Sequence, residues 1–394
     1  MELANRIIER ALELQLYTAE NLSRLVKCKS LSTKENDAAD ELKKMMTDAG
    51  FDEVSTDGLG NVIGRIGSGK KVFAFDAHID TVDAGNPENW HFDPFSGIID
   101  GGFVHGRGSV DQKGGAAAFV TSGRIIKELG LSEGKTIYFI GSVMEEDCDG
   151  LCWKYILEED KIQPDFVVVT EPTNLNIYRG QRGRMEIEIT FHGISSHGSA
   201  PERGLNAIYL ASGTALKIES LNERLLSDGF LGKGSLSVTE FVSSSPSLCA
   251  VADYSRLHVD RRLTLGEDRN MALGQLQEFI SDMNAKAEVL KYKEMSYSGL
   301  EYGMEKYYPT WTLEENDPLI QAGKSTFQEL FHTDPIIDKW TFSTNGVVIK
   351  GIYGIPVLGF GPGNEILAHA PDEKVPIRDL FKASAFYAFL SSKV

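Results

Sequence analysis

The chain has 394 residues and a formal net charge of -17. That length provides enough core for one large domain or two medium ones, and a chain this acidic repels phosphate backbones, so we expect no nucleic-acid partner. No stretch approaches the roughly 20 apolar residues that a membrane-spanning helix needs, so we expect no membrane partner either.

The N-terminus and the cysteines bear on location. The segment MELANRIIERALELQ is typical of an amphipathic helix and lacks the basic-then-apolar layout of a signal peptide. The cysteines are few, form no CxxC pair, and stand at Cys28, Cys148, Cys152 and Cys249. Such usage suits free thiols in a reducing compartment, which predicts a cytoplasmic protein.

The first part of the chain alternates between helices and apolar strands. Two helices are predicted within residues 5–50, broken around residues 28–34, and then strands at 61–67, 71–80, 136–145 and 165–171 alternate with helices near 114–129 and 152–159. The runs KVFAF, TIYFI and FVVV are uninterrupted, which favours strands buried on both faces beneath covering helices. This order predicts an α/β domain.

The pattern changes at Arg184. The segment MEIEITFHG alternates apolar and polar residues, as a strand with one solvated face does. Helices near 207–225 and 271–283 and three further strands complete the order βαββαβ, a ferredoxin-like unit. From about residue 300 the α/β pattern resumes, with a helix at 318–331 and a strand at 354–363. We therefore predict a catalytic domain made of residues 1–183 and 299–394, interrupted by an inserted α+β domain of residues 184–298.

Acidic residues and histidines lie at or just beyond the ends of the predicted strands. They are His78 and Asp80 in FDAHIDT, Asp111 in GRGSVDQKGG, Glu145 and Glu146 in SVMEED, Glu171 in VVVTEP, and His369 in EILAHAPDE. Because ligands of open α/β sheets bind beyond the carboxyl ends of the strands, we expect these side chains to meet there. A histidine, a glutamate and a shared aspartate for each ion would suit a pair of Zn²⁺ sites.

Each motif has another interpretation when it is taken alone. An aspartate at a strand-to-helix junction is often a helix cap, and adjacent acids at a strand end are often solvated. The segment GRIGSGKK nearly fits a phosphate-binding loop, but Lys71 stands where a magnesium-binding hydroxyl is needed and a strand follows, so we interpret it as a hairpin turn. The metal interpretation depends on the motifs occurring together.

Six segments in order carry a resemblance to a known family. AHIDT, GRGSVDQKGG, MEEDCDG, TEP, SSHGSAPERGLNA and AHAPDE resemble the M20 family of two-zinc metallopeptidases and deacylases, which includes acetylornithine deacetylase, succinyl-diaminopimelate desuccinylase and carboxypeptidase G2. Within that family the chain looks closest to the branch labelled selenium-metabolism-linked hydrolases. The resemblance spans nearly the whole chain and implies a zinc-peptidase-like catalytic domain with a mixed sheet and an inserted lid and dimerisation domain.

The resemblance also implies roles for the metal-site residues. Asp111 would bridge two Zn²⁺ ions per subunit, with Co²⁺ or Mn²⁺ as other candidates. His78 and Glu171 would complete one site. Glu146 and His369 would complete the other.

Further roles follow from the same resemblance. Asp80 would orient His78, Glu145 would be the general base, and His197 would reach the active site of a dimer partner to stabilise the oxyanion. Arg262 would bind a substrate carboxylate, although its neighbour Arg261 could take that place if the register slips by one. The pocket would also be lined by Asn345, Gly361 and Gly363. One departure is Gln112, where many members have Asp or Met; we expect it to tune geometry.

The predicted activity is hydrolysis of an amide bond in a small N-acyl amino acid or dipeptide-like molecule. The expected partners are this small molecule, which carries a carboxylate, and a second copy of the chain. Two alternatives stay open: an N-carbamoyl amino acid amidohydrolase with the same two-metal layout, and a non-catalytic binding protein on the same scaffold.

Overall fold

The computed structural model describes residues 2–394. Its α-helices are α1 (Glu2–Glu13), α2 (Gln15–Lys27), α3 (Asn36–Asp48), α4 (Lys113–Leu129), α5 (Leu151–Glu158), α6 (Ala207–Asn222), α7 (Arg269–Phe279), α8 (Pro318–Phe331) and α9 (Ile377–Lys393). A π-helical segment covers Val347–Ile352.

The strands of the first half are β1 (Glu53–Thr56), β2 (Val62–Gly67), β3 (Lys71–His78), β4 (Ile99–Asp100), β5 (Phe103–His105), β6 (Lys135–Ser142), β7 (Phe166–Val169), β8 (Ile177–Gln181) and β9 (Gly183–His192). Those of the second half are β10 (Ser227–Asp228), β11 (Gly232–Lys233), β12 (Ser235–Ser244), β13 (Tyr254–Leu263), β14 (Ala285–Val289), β15 (Lys291–Tyr292), β16 (Met304–Glu305), β17 (Tyr307–Tyr308), β18 (Trp311–Thr312), β19 (Ile337–Trp340), β20 (Val357–Gly359) and β21 (Lys374–Pro376).

A nine-stranded mixed sheet forms the centre of the larger unit. Its order is β1-β2-β6-β3-β7-β20-β8-β18, and β19 pairs with β8. The central strands β6, β3, β7 and β20 run parallel to one another, whereas β1, β2 and β18 pair antiparallel. The predicted α/β class with a mixed sheet is confirmed. Because the four parallel strands end at one rim, the segments that follow them lie side by side there.

Helices α4 and α9 pack together against the sheet and are buried along most of their length. Small residues in α4 allow this close approach. A Cβ at Gly115 would lie 2.1 Å from the Thr170 hydroxyl oxygen, and one at Gly123 would lie 2.4 Å from the Phe51 ring. The start of α4 therefore lies directly over the end of β7.

A second sheet has its own core. Its order is β12-β13-β9-β14, with every pair antiparallel, and the chain order β9-α6-β12-β13-α7-β14 is the predicted βαββαβ. The buried apolar residues of this core all fall between Met185 and Val289. The chain leaves the large sheet after Gln181 and rejoins it at Trp311. The exact domain bounds at residues 184 and 298 stay a prediction.

Three local expectations were wrong. The N-terminal region forms three helices rather than two, because α1 and α2 are separate helices on either side of Leu14. The turn after Gly67 is not a hairpin, since β6 lies between β2 and β3. Strand β3 ends at His78, so Asp80 lies beyond the strand. No helix among residues 2–394 is both long enough and apolar enough to cross a bilayer.

Candidate metal centre

The ends of the parallel strands bring the predicted ligands together. His78 is the last residue of β3, Glu145 and Glu146 follow β6, and Glu171 follows β7. Asp111 lies two residues before the start of α4. His369 comes from the long segment after β20, at a left-handed backbone position with φ of 60°. Six side chains from five separate segments thus meet at one rim.

One group of potential ligands surrounds His78. Its Nε2 lies 2.9 Å from Asp111 Oδ1 and 3.5 Å from Glu171 Oε1. Nitrogen and oxygen ligands about 2.0–2.1 Å from a tetrahedral ion are separated by about 3.3 Å. The spacing of these three atoms therefore suits a common ion.

A second group surrounds His369. Its Nε2 lies 3.3 Å from Asp111 Oδ2 and 3.0 Å from Glu146 Oε2. The two oxygens of Asp111 thus face two different histidines, as a bridging carboxylate requires. The base candidate Glu145 is close to the first group, with its Oε2 3.9 Å from His78 Nε2. Two overlapping sets, His78-Glu145-Glu171 and His78-Asp111-Glu146, hold their ligand atoms within 4.8 Å of one another.

The chemistry of this cluster fits a cation. Glu145 Oε1 and Glu171 Oε2 are buried and have no hydrogen-bond partner among residues 2–394. The cavity beside them has a volume of about 350 Å³, and its wall includes six carboxylates and two guanidinium groups. Buried carboxylates without partners cost free energy unless a positive charge compensates them. The side chains present fit divalent ions.

The pKa values of the cluster also indicate that its negative charge needs compensation. Burial raises the pKa of Glu145 and of Glu171 well above the ordinary value, and that of Glu146 to about 7. Hydrogen bonds to Asp111 and Glu146 raise the pKa of His369 to about 10. Burial opposes the charged form of His78, but the carboxylates of Glu171 and Glu145 outweigh it and raise its pKa. In the absence of other cations, protons therefore compensate the negative charge of these carboxylates.

Asp80 holds the turn that carries the two glutamates. Its Oδ1 accepts the N–H of Glu145 at 3.2 Å, and its Oδ2 accepts the N–H of Glu146 at 3.1 Å. His78 Nδ1 lies 3.0 Å from the backbone carbonyl of Asp80 and 3.5 Å from its carboxylate. The sequence predicted a carboxylate contact to the imidazole, whereas the nearer acceptor is the backbone oxygen.

A buried ion pair joins the segments that carry Asp111 and His369. The Arg107 guanidinium donates to Glu373 at 2.7 Å and to the backbone carbonyl of His369 at 3.1 Å. Glu373 also accepts three backbone N–H groups, from Gly108 (3.1 Å), Val110 (2.8 Å) and Asp111 (3.1 Å). Both charged residues lie within the segments that carry the resemblance, but nothing in the sequence indicated that they pair.

Two arginines from the second sheet also line the cavity. Arg262 on β13 and Arg184 on β9 are register partners and both line the cavity. Asp260 binds the Arg262 guanidinium in a fork, at 2.8 and 3.1 Å. Arg261 is instead buried and paired with Glu267 at 2.6 Å. Of these two neighbours, Arg262 is therefore the one that lines the cavity.

Three other predicted site residues are not brought to the cavity wall. Asn345 is buried, and its side-chain amide group donates to Asp76 at 2.9 Å while its oxygen accepts the N–H of Gly150 at 2.8 Å. Gly361 packs against Glu171, since a Cβ there would be 2.2 Å from the Glu171 carbonyl oxygen, and a Cβ at Gly363 would be 3.2 Å from the Val110 side chain. These residues support the rim from behind instead of lining the pocket.

His197 lies elsewhere in this chain. Its side chain is exposed on the second unit, where Nδ1 is 2.7 Å from the Ser199 hydroxyl and its backbone bridges to Ala250. It is not among the residues that line the cavity. The lining residues that the sequence did not indicate are Arg184, Asp149, Phe342, Ser343, Glu365 and Ala368. Asp149 and Ala368 lie within the segments MEEDCDG and AHAPDE, whereas strand pairing and loop folding bring the other four residues there.

Gln112 adjoins the cluster without lining the cavity. Its side-chain oxygen accepts the backbone N–H of His78 at 2.5 Å. The residue that departs from the expected pattern therefore helps to fix the end of β3, from which His78 projects.

Comparison with known proteins decides the family. The sequence model of Peptidase family M20/M25/M40 matches residues 74–393. The chain belongs to this family. It is 47% identical over 384 residues to the uncharacterized protein YgeY of Escherichia coli (strain K12), covering 97% of this chain and 95% of that protein. It is 25% identical over 387 residues to succinyl-diaminopimelate desuccinylase of Paracoccus denitrificans (strain Pd 1222), covering 94% and 96%.

Solved structures of M20 proteins share the fold. Aminopeptidase PepT from Bacillus cereus ATCC 10987 superposes with a TM-score of 0.73 at 21% identity, covering 96% of this chain and 98% of that chain. The Bacillus subtilis protein YXEP, described as a dinuclear metal binding peptidase from the M20 family, superposes with a TM-score of 0.69 at 14% identity, covering 98% of each. The family match, together with the ligand cluster, identifies a metal-dependent hydrolase.

Proposed function

We propose that this M20 hydrolase holds two divalent ions, with Zn²⁺ preferred, and cleaves an amide bond in a small N-acyl amino acid or dipeptide-like molecule. The observation that carries the proposal is the geometry of Asp111. Its two oxygens lie within 3.3 Å of Nε2 atoms of two different histidines. His78 and Glu171 would complete one site, and Glu146 and His369 the other, each with the mixed nitrogen and oxygen ligands that suit zinc.

Glu145 is the proposed general base. Bound divalent ions polarise the scissile carbonyl and lower the pKa of water toward about 7. Glu145 Oε1 is buried beside the ligand cluster and has no hydrogen-bond partner among residues 2–394, so it can take a proton from the attacking water. Burial raises the pKa of Glu145, which suits a carboxyl that accepts a proton and then donates it to the leaving amine.

Two arginines support a substrate with a free carboxylate. Arg262 and Arg184 line the same cavity as the ligand cluster. A guanidinium recognises a carboxylate through paired N–H donors. Asp260 and Glu186 already hold these guanidinium groups in place, so the side chains are ordered before substrate binds. We expect the arginines to bind the carboxylate and so to direct the neighbouring amide toward Glu145.

We also propose that the chain acts as a homodimer in which His197 serves the partner's active site. The support is the exposed position of His197 and the exposed apolar side chains on the same unit, among them Tyr209, Leu216, Phe241 and Leu248. Mixing a His197→Ala chain with an Asp111→Asn chain should restore activity through hybrid sites. Absence of any restoration would show that His197 does not act across subunits.

The central test is Glu145→Gln. The variant should keep both metal ions but lose activity by roughly 10²- to 10⁴-fold, the usual size of a positioned proton shuttle. Elemental analysis and turnover are measured on the same preparation. Glu53 is an exposed acid at the start of β1, so Glu53→Gln is the matched control and should keep full turnover. Wild-type turnover in Glu145→Gln would refute its role as base.

A substrate panel separates this reaction from its alternative. N-acyl amino acids, dipeptides and N-carbamoyl amino acids are offered to the metal-loaded protein, and the products are identified. Deacylation releases a carboxylic acid, whereas carbamoyl cleavage releases ammonia and carbon dioxide. Failure of loaded protein to retain divalent ions at these side chains would overturn the two-metal proposal.

A further inference from the structure

The turn that carries Glu145 is held by side chains at four consecutive backbone positions. Each N–H from residue 143 to residue 146 donates to a side-chain oxygen: Val143 to Asn61 Oδ1 (3.0 Å), Met144 to Glu35 Oε1 (3.0 Å), Glu145 to Asp80 Oδ1 (3.2 Å) and Glu146 to Asp80 Oδ2 (3.1 Å). The acceptors come from three separate segments of the chain. Because all four N–H groups are hydrogen-bonded to side chains, the direction in which the chain leaves β6 is fixed.

Glu35 is the unexpected member of this set. It precedes α3 and its side chain is completely buried. Its Oε1 accepts the N–H of Thr33 as well as that of Met144, both at 3.0 Å, so it ties the segment between α2 and α3 to the glutamate turn. A buried carboxylate costs free energy to desolvate. If the side chain at this position only had to fill space, an apolar residue would do so without that desolvation cost.

Met144 shows why the turn needs such an anchor. Its φ is +60°, a left-handed backbone position that residues other than glycine adopt at a cost of about 1 kcal/mol or more. The Met144 side chain is fully buried. Its N–H bond to Glu35 supports this backbone position. Glu145 follows directly, so the conformation of Met144 sets where the Glu145 carboxyl points.

We propose that Glu35 is a positioning residue, which holds the Met144 backbone and thereby aims Glu145 at the attacking water. This inference rests on the proposed role of Glu145 as base. Glu35 does not line the cavity and is not one of the proposed ligands, so it acts through the turn and not by touching substrate.

Three substitutions test the proposal with the best substrate of the panel and saturating metal. Glu35→Ala removes the acceptor and should lower kcat roughly 10- to 100-fold, the usual effect of losing a group that supports a site from behind. Glu35→Asp keeps the carboxyl group but shortens the reach, so it should also lose kcat. Glu35→Gln keeps an oxygen that can accept the Met144 N–H and should recover most of kcat. KM and metal content should stay at wild-type values in all three.

Controls separate positioning from stability. Asp317 caps α8 by accepting the N–H of Leu319 at 2.9 Å, so Asp317→Ala should lower Tm through loss of a cap without changing kcat. A Glu35 role limited to stability would give the same result. Unchanged kcat in folded Glu35→Ala and Glu35→Asp overturns the proposal; if the alanine variant does not fold, the aspartate variant decides. Glu145→Gln measured in parallel tests the base itself. If Glu145→Gln keeps activity, the proposed function has failed. If Glu145→Gln is inactive while the Glu35 variants keep the kcat of the wild type, only the proposed role of Glu35 has failed.

Discussion

Replacing Glu373 with glutamine should weaken both the fold and the metal centre. The carboxylate is completely buried and faces four donors. Oε1 accepts the N–H groups of Val110 and Asp111, and Oε2 accepts the N–H of Gly108 and the Arg107 guanidinium. A glutamine side chain must place its NH₂ group where one of these oxygens stood. Two donors then face another donor, whichever orientation the amide takes.

The magnitude follows from this count. Each buried donor left without an acceptor costs about 1–3 kcal/mol, so two of them cost about 2–6 kcal/mol of unfolding free energy. A change of 1 kcal/mol shifts Tm by about 2 °C in a large domain, which gives a fall of roughly 4–12 °C. The Asp111 N–H is one of the bonds at risk. We therefore also expect the metal-induced rise in Tm to be smaller than in the wild type.

The assay is thermal unfolding followed by circular dichroism, first with chelator and then with saturating Zn²⁺. Glu53→Gln is the control, because Glu53 pairs with Arg65 at the surface and such pairs contribute only about 0–1 kcal/mol. A Glu373→Gln protein with the Tm of the control would refute the argument from unsatisfied donors. A full metal-induced rise in Tm would refute the link from Glu373 to Asp111.

Three further predictions concern substrate, pH and metal. Arg262→Ala should raise KM for a carboxylate substrate roughly 10- to 100-fold, as loss of a charged hydrogen bond does, and should not affect the matching carboxamide; equal effects on both would show that Arg262 does not bind the carboxylate. Burial opposes ionisation of Glu186, but Arg184 and Lys306 outweigh it and lower its pKa to about 2. This pairing contributes at most about 3 kcal/mol to the free energy of unfolding. The contribution is present above the ordinary pKa of a glutamate and is lost as the pH falls toward the lowered pKa of Glu186. Urea unfolding between about pH 5 and pH 3 should therefore show a shallower pH dependence in Glu186→Gln than in the wild type, and equal slopes would contradict this. Chelation should abolish turnover and lower Tm, and Zn²⁺ at about 100 times its Kd should restore about 2.7 kcal/mol of stability; turnover in fully chelated protein would exclude a metal-dependent reaction.

The sequence by itself determined the fold class and the family. Uninterrupted apolar runs such as those of β3, β6 and β7 occur where strands are buried on both faces, so they indicated the central sheet without knowledge of its order. The residues after those runs formed the candidate cluster because parallel strands end at one rim. Each of these strands and the residue that follows it belong to one short segment of the chain, so the local sequence is enough to indicate them.

Tertiary structure alone decided which other side chains reach the site. Arg262 rather than Arg261 faces the cavity because of the pairing of β13 with β9, and Arg184 joins it through the same register. Asn345 is buried behind the rim because its amide is held by Asp76 on β3. The contact of Glu35 with Met144 joins residues 109 positions apart, and the contacts of Glu373 join residues more than 260 positions apart. Such contacts depend on how whole segments pack, and no local pattern of residue types records that packing.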